Sequence, residues 1–260
     1  MVKELREKTG AGMMDCKKAL TIADGDQELA IENLRKAGAA KAAKKAGRTA
    51  KNGCALTRID GNVAVQVEML CESEQAGKTP RFRDFAESLL DRGMKDFAGD
   101  QDITEALNKS VEGEIAGLVG VLSENLQLRR AARWETDGTL ASYTHMDGKI
   151  GVLVDVTGEF EEDMLRDICM HIAAFNPRFI SPEDVPAELL EKEKEIAKGQ
   201  VEGKPENIID KIVVGKINKW YSEACLVRQP WIRDDKKCLA KIAPKMTITR
   251  FLRWQIGEEL

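Results

Sequence analysis

Apolar residues at the start of the chain recur at helical spacing. Val2 and Leu5 share a face of a short helix, which Thr9-Gly10-Ala11-Gly12 interrupts because glycine favours turns and helix ends. From Met13, the spacing Met13, Cys16, Leu20 predicts a second apolar stripe, with Asp15, Lys17 and Lys18 facing elsewhere. Gly25-Asp26 closes that helix and opens a third, whose inner face is Ala30, Ile31 and Leu34. Such a three-helix bundle is near the lower size limit for an independent core, which suits a docking module better than an active site. Met13 and Met14 diverge by about 100° on a helix, so one of them should reach the surface. Both either pack against neighbours or offer a polarizable, adaptable contact, and spacing leaves the two readings open.

Further along, the period changes from helical to alternating. Thr57-Arg58-Ile59-Asp60-Gly61-Asn62-Val63-Ala64-Val65-Gln66-Val67 is echoed by Thr144-His145-Met146-Asp147-Gly148-Lys149-Ile150-Gly151-Val152-Leu153-Val154. Each reads as a strand, an Asp-Gly turn and a β-branched strand, the pattern of a hairpin. A helix follows each, marked by Phe82, Phe85, Leu89 and Leu90 in the first and by Met164, Ile168, Ile172 and Ala173 in the second. Two related α+β subdomains are expected. After Pro182 the helical period returns: Leu189, Glu193 and Ile196 on one helix, a turn at Gly203-Lys204-Pro205, then Ile208, Ile209, Ile212 and Val213. This helical hairpin either projects or lies flat on the core; periodicity does not decide.

Composition narrows the function. A chain of 260 residues, 43% apolar and 32% charged, is a soluble globular protein with room for cores beyond the small bundle. Its net charge of -4 gives no global pull toward nucleic acid. Lys41, Lys44, Lys45, Arg48 and Lys51, set among Ala39, Ala40, Ala42, Ala43 and Ala46, read as a solvated linker helix or, alternatively, as a local RNA contact. No apolar run is long enough to span a membrane, and the chain opens directly into its first helix, so a cytoplasmic protein is expected. Six cysteines are scattered without a C-x-x-C pair, which predicts reduced, mostly buried thiols.

Candidate chemistry is sparse. Of the two histidines, His171 sits on an apolar helix two residues from Cys169, where side chains diverge, so a structural role is expected rather than a nucleophilic pair. There is no metal-ligand spacing, phosphate-binding loop or serine elbow. No bond-making chemistry, cofactor or metal is expected.

Met13-Met14-Asp15-Cys16-Lys17-Lys18-Ala19-Leu20 after its glycine loop, Gly25-Asp26, Ala30-Ile31-Glu32-Asn33-Leu34-Arg35-Lys36, Ser142-Tyr143-Thr144-His145, Gly148-Lys149-Ile150-Gly151-Val152-Leu153-Val154, Met170-His171-Ile172-Ala173-Ala174 and Pro182-Glu183-Asp184-Val185 form an ordered set. Together they resemble the elongation factor Ts family, the guanine nucleotide exchange factors of elongation factor Tu, over essentially the whole chain. The resemblance implies an α+β fold with a UBA-like three-helix module at 1–37, a basic linker helix at 38–52 and a first core subdomain at 53–138. A second subdomain would comprise 139–185 and 224–260, with a coiled-coil-like helical arm inserted at 186–223, after which the chain returns to the sheet through Ile248, Phe251, Trp254 and Ile256. It further implies a cytoplasmic translation factor that binds elongation factor Tu, both GDP-bound and nucleotide-free, with no membrane or specific nucleic-acid partner. The arm is a candidate for dimerisation.

On this resemblance, Leu5, Met13 and Met14 are expected to dock the small module. Ser73, Glu74, Gln75 and Ala76 align with the family's Thr-Asp-Phe-Val segment, the wedge that disturbs magnesium and nucleotide binding in the partner, with Lys78 matching the family's lysine. Thr to Ser keeps a hydroxyl and Asp to Glu keeps the charge, but Gln75 replaces a phenylalanine. Leu122 and Ser123, in Leu122-Ser123-Glu124-Asn125 where the family commonly has Ile-Gly-Glu-Asn, and His145 are expected as further contacts. The Gln75 departure leaves a rival open: a divergent paralogue that binds or chaperones elongation factor Tu without effective exchange.

Overall fold

Helix α1 (Val2–Thr9) stops at Gly10, whose φ of 69° is left-handed and whose N–H closes on the Arg6 carbonyl. Glycine is required there twice over, since the Arg81 guanidinium lies where a β-carbon would stand. Helix α2 (Met13–Ile22) follows, and α3 (Gln27–Lys45) begins at Asp26, whose carboxylate accepts from the Glu28 and Leu29 amides at 2.8 and 3.0 Å. Leu5, Cys16, Ala19, Leu20, Ala23 and Ala30 form the core between them. Met13 does not join the inner stripe. It lies in the first turn of α2, ahead of the packed part, and both methionines are exposed. The basic helix expected at 38–52 is not separate: 38–45 is the second half of α3, and Arg48 and Lys51 lie beyond its end, before β1.

The computed structural model describes residues 1–201 and 205–259, which divide into two units. The first comprises Met1–Asp137, Thr144–Gly151 and Trp254–Leu260. Its sheet contains β1 (Asn52–Asp60) and β2 (Val63–Cys71), antiparallel as expected, with the two-residue turn at Gly61-Asn62, one position beyond the expected Asp60-Gly61 because Asp60 still pairs with Val63. A one-turn helix, α4 (Glu74–Gly77), leaves β2 and leads into α5 (Pro80–Lys95). Then come β3 (Gln101–Asp102), α6 (Thr104–Leu122) and β4 (Leu126–Glu135), giving the strand order β1-β2-β4-β3. Phe82, Ala86, Leu89 and Leu90 of α5 and Leu107, Val111 and Val119 of α6 pack on Val65, Val67 and Met69 of β2. Helices α3 and α6 meet where a β-carbon on Gly38 would come within 2.9 Å of the Ala116 carbonyl oxygen, so only glycine permits the approach.

A β-bulge opposite Glu68 and Met69 makes Arg129 an extra residue in β4 and brings two guanidiniums to one buried carboxylate. Arg130 meets Glu68 at 2.5 Å and Arg129 meets it at 3.3 Å. Burial pushes the Glu68 carboxyl up, and the guanidiniums, Arg130 first, pull it back. Arg130 also pairs with Glu258 at 2.7 Å and lies over the Trp254 ring at 4.8 Å, fastening the 254–258 segment to this sheet.

The second unit comprises Gly138–Tyr143 and Val152–Arg253. Strands β5 (Thr139–His145) and β6 (Ile150–Gly158) precede α7 (Glu162–Phe175), which buries Leu165, Ile168, Cys169 and Ile172. Helices α8 (Ala187–Gly199) and α9 (Glu206–Ala224) bury Ala197, Val213 and Ile217 in a seam with Leu190, Ile209 and Tyr221. The expected stripe Leu189, Glu193, Ile196 is rotated away from that seam, and Ile196 is 51% exposed. Leu189 instead joins Val185, Ala224 and Cys225 at the root of the pair. Of the turn expected at Gly203-Lys204-Pro205, Gly203 and Lys204 lie outside the described residues. A small hairpin, β7 (Pro230–Trp231) with β8 (Asp234–Cys238), leads through α10 (Leu239–Ile242) to β9 (Met246–Gln255), which completes a sheet of order β5-β6-β9. The expected return through Ile248 and Trp254 is this last strand, and both residues are buried. Among the described residues no helix is long and apolar enough to cross a membrane.

Candidate functional site

Every residue singled out above for contact lies in the first unit. The centre of the site is α4, whose single turn is too short to hold itself in water. Ser73 caps it: Oγ accepts from the Ala76 amide at 3.2 Å and donates to Oε1 of Glu124 at 2.5 Å. The Ser73 amide donates to the other oxygen of Glu124 at 2.9 Å. The arrangement is reciprocated, because the Asn125 amide donates to the Glu72 carboxylate at 2.6 Å. The Asn125 amide side chain donates to the Arg48 carbonyl at 2.6 Å, and that of Asn52 to the Glu72 carbonyl at 2.9 Å. The Asn125 amide, followed by Arg48 at 3.5 Å, holds the Glu72 carboxyl below the usual carboxylate range.

This scaffold buries Ala76 and leaves Glu74 and Gln75 exposed at the tip. Glu74 pairs with Lys78 at 2.7 Å, and Lys78, with a smaller contribution from Lys149, lowers its pKa, so the tip carries a carboxylate beside a neutral amide. Of the four residues in the predicted segment, two therefore face solvent and two hold the turn in place.

At its far end α4 is tied to another predicted contact. The Arg83 guanidinium donates to the Gly77 carbonyl at 2.7 Å and to the backbone and side-chain oxygens of Asp147 at 2.9 Å. Asp147 belongs to the turn after β5, where Met146, Asp147 and Gly148 all have positive φ. His145, half-buried, is the last residue of that strand. Arg83 thus brings the His145 turn to α4.

Ser123 ends α6 in the left-handed conformation, φ 57° and ψ 33°, which costs a side-chain-bearing residue about 1 kcal/mol. The Lys45 ammonium donates to its carbonyl at 2.6 Å. Leu122 is half-buried against the core, whereas Ser123 is exposed next to the two residues that clamp α4. With Lys41 on Asp15 at 3.0 Å and Arg48 on Glu72, three of the five basic residues considered for RNA contact are engaged within the chain.

The small module presents a separate surface. Met13 and Met14 are 58% and 74% exposed. Leu5, expected as a docking residue, is wholly buried in the module core, with Val2 of the same helix half-buried beside it, so it stands behind the exposed surface and not on it. A cleft of about 980 Å³ runs between this module and α5 and α6, lined by Ala11, Ile22, Arg81, Phe85 and Gly117 among others.

Outside this region the chemistry is structural. Burial pushes the Cys169 thiol up to about 12. His171 is wholly buried between the rings of Phe175 and Trp231, centroids 4.6 and 5.2 Å away, and its Nε2 meets Gln229 Oε1 at 2.9 Å. The Gln229 amide donates to the Phe175 and Glu223 carbonyls, which fixes its orientation, so Nε2 is the protonated nitrogen. Among the described residues no His, Cys, Asp and Glu side chains gather in a group able to hold a metal ion.

Sequence reasoning missed Arg83, and it placed Glu72, Glu124 and Asn125 in the aligned segments without giving them a role. Asn125 carried a signal, as a buried amide following a helix end, but its partners lie 53 and 77 residues away. Residues 76–258 match the family model described as Elongation factor TS. The chain is 44% identical over 262 aligned positions to elongation factor Ts of Escherichia coli (strain K12 / DH10B), covering 99% of this chain and 90% of the relative. The same figures hold for elongation factor Ts of Shigella boydii serotype 18 (strain CDC 3083-94 / BS512) and of Salmonella newport (strain SL254).

Proposed function

Because the chain belongs to the elongation factor Ts family, a family of translation elongation factors, we propose that it binds elongation factor Tu carrying GDP, promotes GDP loss and leaves when GTP enters. The carrying observation is the capped, clamped turn of α4, which offers Glu74 and Gln75 to solvent in the segment that resembles the family's wedge. Exchange of this kind needs no bond-making chemistry. The factor binds the nucleotide-free partner more tightly than the nucleotide-bound one, and linkage requires that it weaken nucleotide affinity by the same factor. The wedge accelerates release by disturbing the elements that hold magnesium against the nucleotide phosphates in the partner.

Met13 and Met14 dock the module, with Leu5 acting from behind them by holding α1 in place. Leu122, Ser123 and His145 border the α4 region and supply further contacts. A factor with this role acts in the cytoplasm and takes no cofactor.

Gln75 favours a second reading. An amide buried in a partner without hydrogen-bond partners costs about 1–3 kcal/mol, whereas an aromatic ring in the same cleft stabilises the complex. On that reading the chain holds elongation factor Tu as a chaperone, with weak exchange. Release of a fluorescent GDP from the cognate elongation factor Tu, timed with and without this protein at several magnesium concentrations, decides between them. Saturable acceleration supports exchange. Stable complex formation without faster release supports the holding role, and neither effect would overturn both.

A further inference from the structure

We infer that Glu124 is a positioning residue for exchange: it does not touch the partner but fixes the tip of α4 in the orientation that acts on it. This rests on the exchange reading and deepens it.

Three observations carry it. First, α4 is one turn long, so its geometry is set by what holds it from outside: Ala76 in the core, Arg83 on the Gly77 carbonyl, and at its first end the contacts to Ser73. Second, Glu124 takes both donors of Ser73, the amide on one oxygen at 2.9 Å and the hydroxyl on the other at 2.5 Å. A two-oxygen grip fixes direction as well as distance, which a single hydrogen bond does not. Third, the grip is returned by Glu72 on the Asn125 amide at 2.6 Å, so two adjacent pairs of residues, 51 and 53 positions apart in the chain, lock against each other. Glu74 and Gln75 project directly from this lock.

The consequence is kinetic. An ordered tip makes its contacts without a further loss of conformational freedom, and small misplacements of an acting group cost rate steeply. The methionine surface is a different part of the unit, so initial docking does not depend on the lock. Loosening the lock therefore lowers the release rate at saturating factor and leaves the half-saturating concentration in place.

The test uses the full chain and the cognate elongation factor Tu loaded with fluorescent GDP, and it measures release rate against factor concentration. Glu124→Gln, which keeps the size but only one acceptor, should lower the saturating rate roughly tenfold, with the half-saturating concentration within about twofold. Ser73→Ala should do the same, and the double variant should be no worse than either single one, because both remove one interaction. Ser73→Thr keeps the hydroxyl and should lose less of the rate than Ser73→Ala. Hydrogen exchange should quicken at the amides of 73–77 in Glu124→Gln and stay unchanged in β1 and β2.

An unchanged saturating rate in Glu124→Gln, a rise in half-saturating concentration alone, or equal damage from Ser73→Thr and Ser73→Ala would overturn the inference. Faster hydrogen exchange throughout β1 and β2 would do so as well, by assigning Glu124 to the stability of the unit. Absence of acceleration by the wild-type chain is a separate outcome, which removes the exchange reading and this inference with it.

Discussion

Leu5→Ala tests whether the small module is held together as its packing implies. Leu5 and Leu20 are the large side chains among the buried residues of this core, the others being Cys16 and three alanines with Val2, Ile31 and Leu34 half-buried at its margin, and Leu5 alone of the two is wholly buried. Truncation removes three carbons from that core. At about 0.8 kcal/mol per buried methylene the transfer loss is roughly 2.4 kcal/mol. The cavity left behind brings the total to about 3 kcal/mol, within the range seen for buried leucines. Alanines cannot move in to fill the gap, so little of this is recovered. Hydrogen exchange followed by mass spectrometry reads the loss directly: amides of α1 and α2 should exchange roughly a hundredfold faster. Those of β1, β2 and β4 should keep their protection, and Leu5→Met, which conserves volume, should restore α1 and α2. Acceleration below threefold in α1, or an equal change across the sheet, would refute the reasoning. So would intact protection combined with weakened binding of elongation factor Tu, since that pattern belongs to a residue that touches the partner.

Other consequences follow from single residues. Gln75→Phe should raise the saturating GDP-release rate tenfold or more, since a buried ring contributes about 1.5–3 kcal/mol; stopped-flow fluorescence would reveal a rate no different from wild type if Gln75 does not limit exchange. Arg130→Ala leaves the wholly buried Glu68 with Arg129 alone and frees the 254–258 segment, so urea unfolding should show a loss of about 3–5 kcal/mol. His171 gives a pH signature. Burial holds its pKa below the ordinary 6.5, only partly offset by the bond to Gln229, so below pH 6.5 the unfolded chain takes up a proton that the folded chain refuses. Stability from this group is complete above pH 6.5 and is lost as pH falls through the folded value; the drop in urea midpoint between pH 7 and pH 5 should shrink in His171→Phe.

How far the sequence carried the reading depended on the range of the interactions involved. The hairpins at Asp60-Gly61 and Asp147-Gly148 and the cap at Asp26 were legible because each is decided by adjacent residues. Met13 was misassigned to an inner stripe because periodicity says nothing about where along a helix packing begins. Ile196 was misassigned for a related reason: α8 packs at its root and in its seam on faces slightly rotated from one another, and a single stripe cannot describe both. Leu5 was taken for a contact because a small amphipathic helix looks alike whether its apolar face meets its own module or a partner. The α4 segment was located by resemblance alone. The lock behind it was invisible, since Glu72 with Asn125 and Ser73 with Glu124 are pairings between distant stretches that share no local pattern.

The Glu68 network bears on how the chain is made. Arg130 is translated 128 residues before Glu258, the acid that shares its guanidinium. During synthesis β1, β2 and β4 can therefore pair while the Trp254 ring and the second carboxylate are still missing. For that interval Arg130 lacks its ring and its outer partner, and the sheet of the first unit is complete in its strands but uncovered at Arg130. Ribosome-bound intermediates should thus be recognisable by this exposed basic patch, a ready binding surface for a chaperone that disappears once residues 254–258 fall into place.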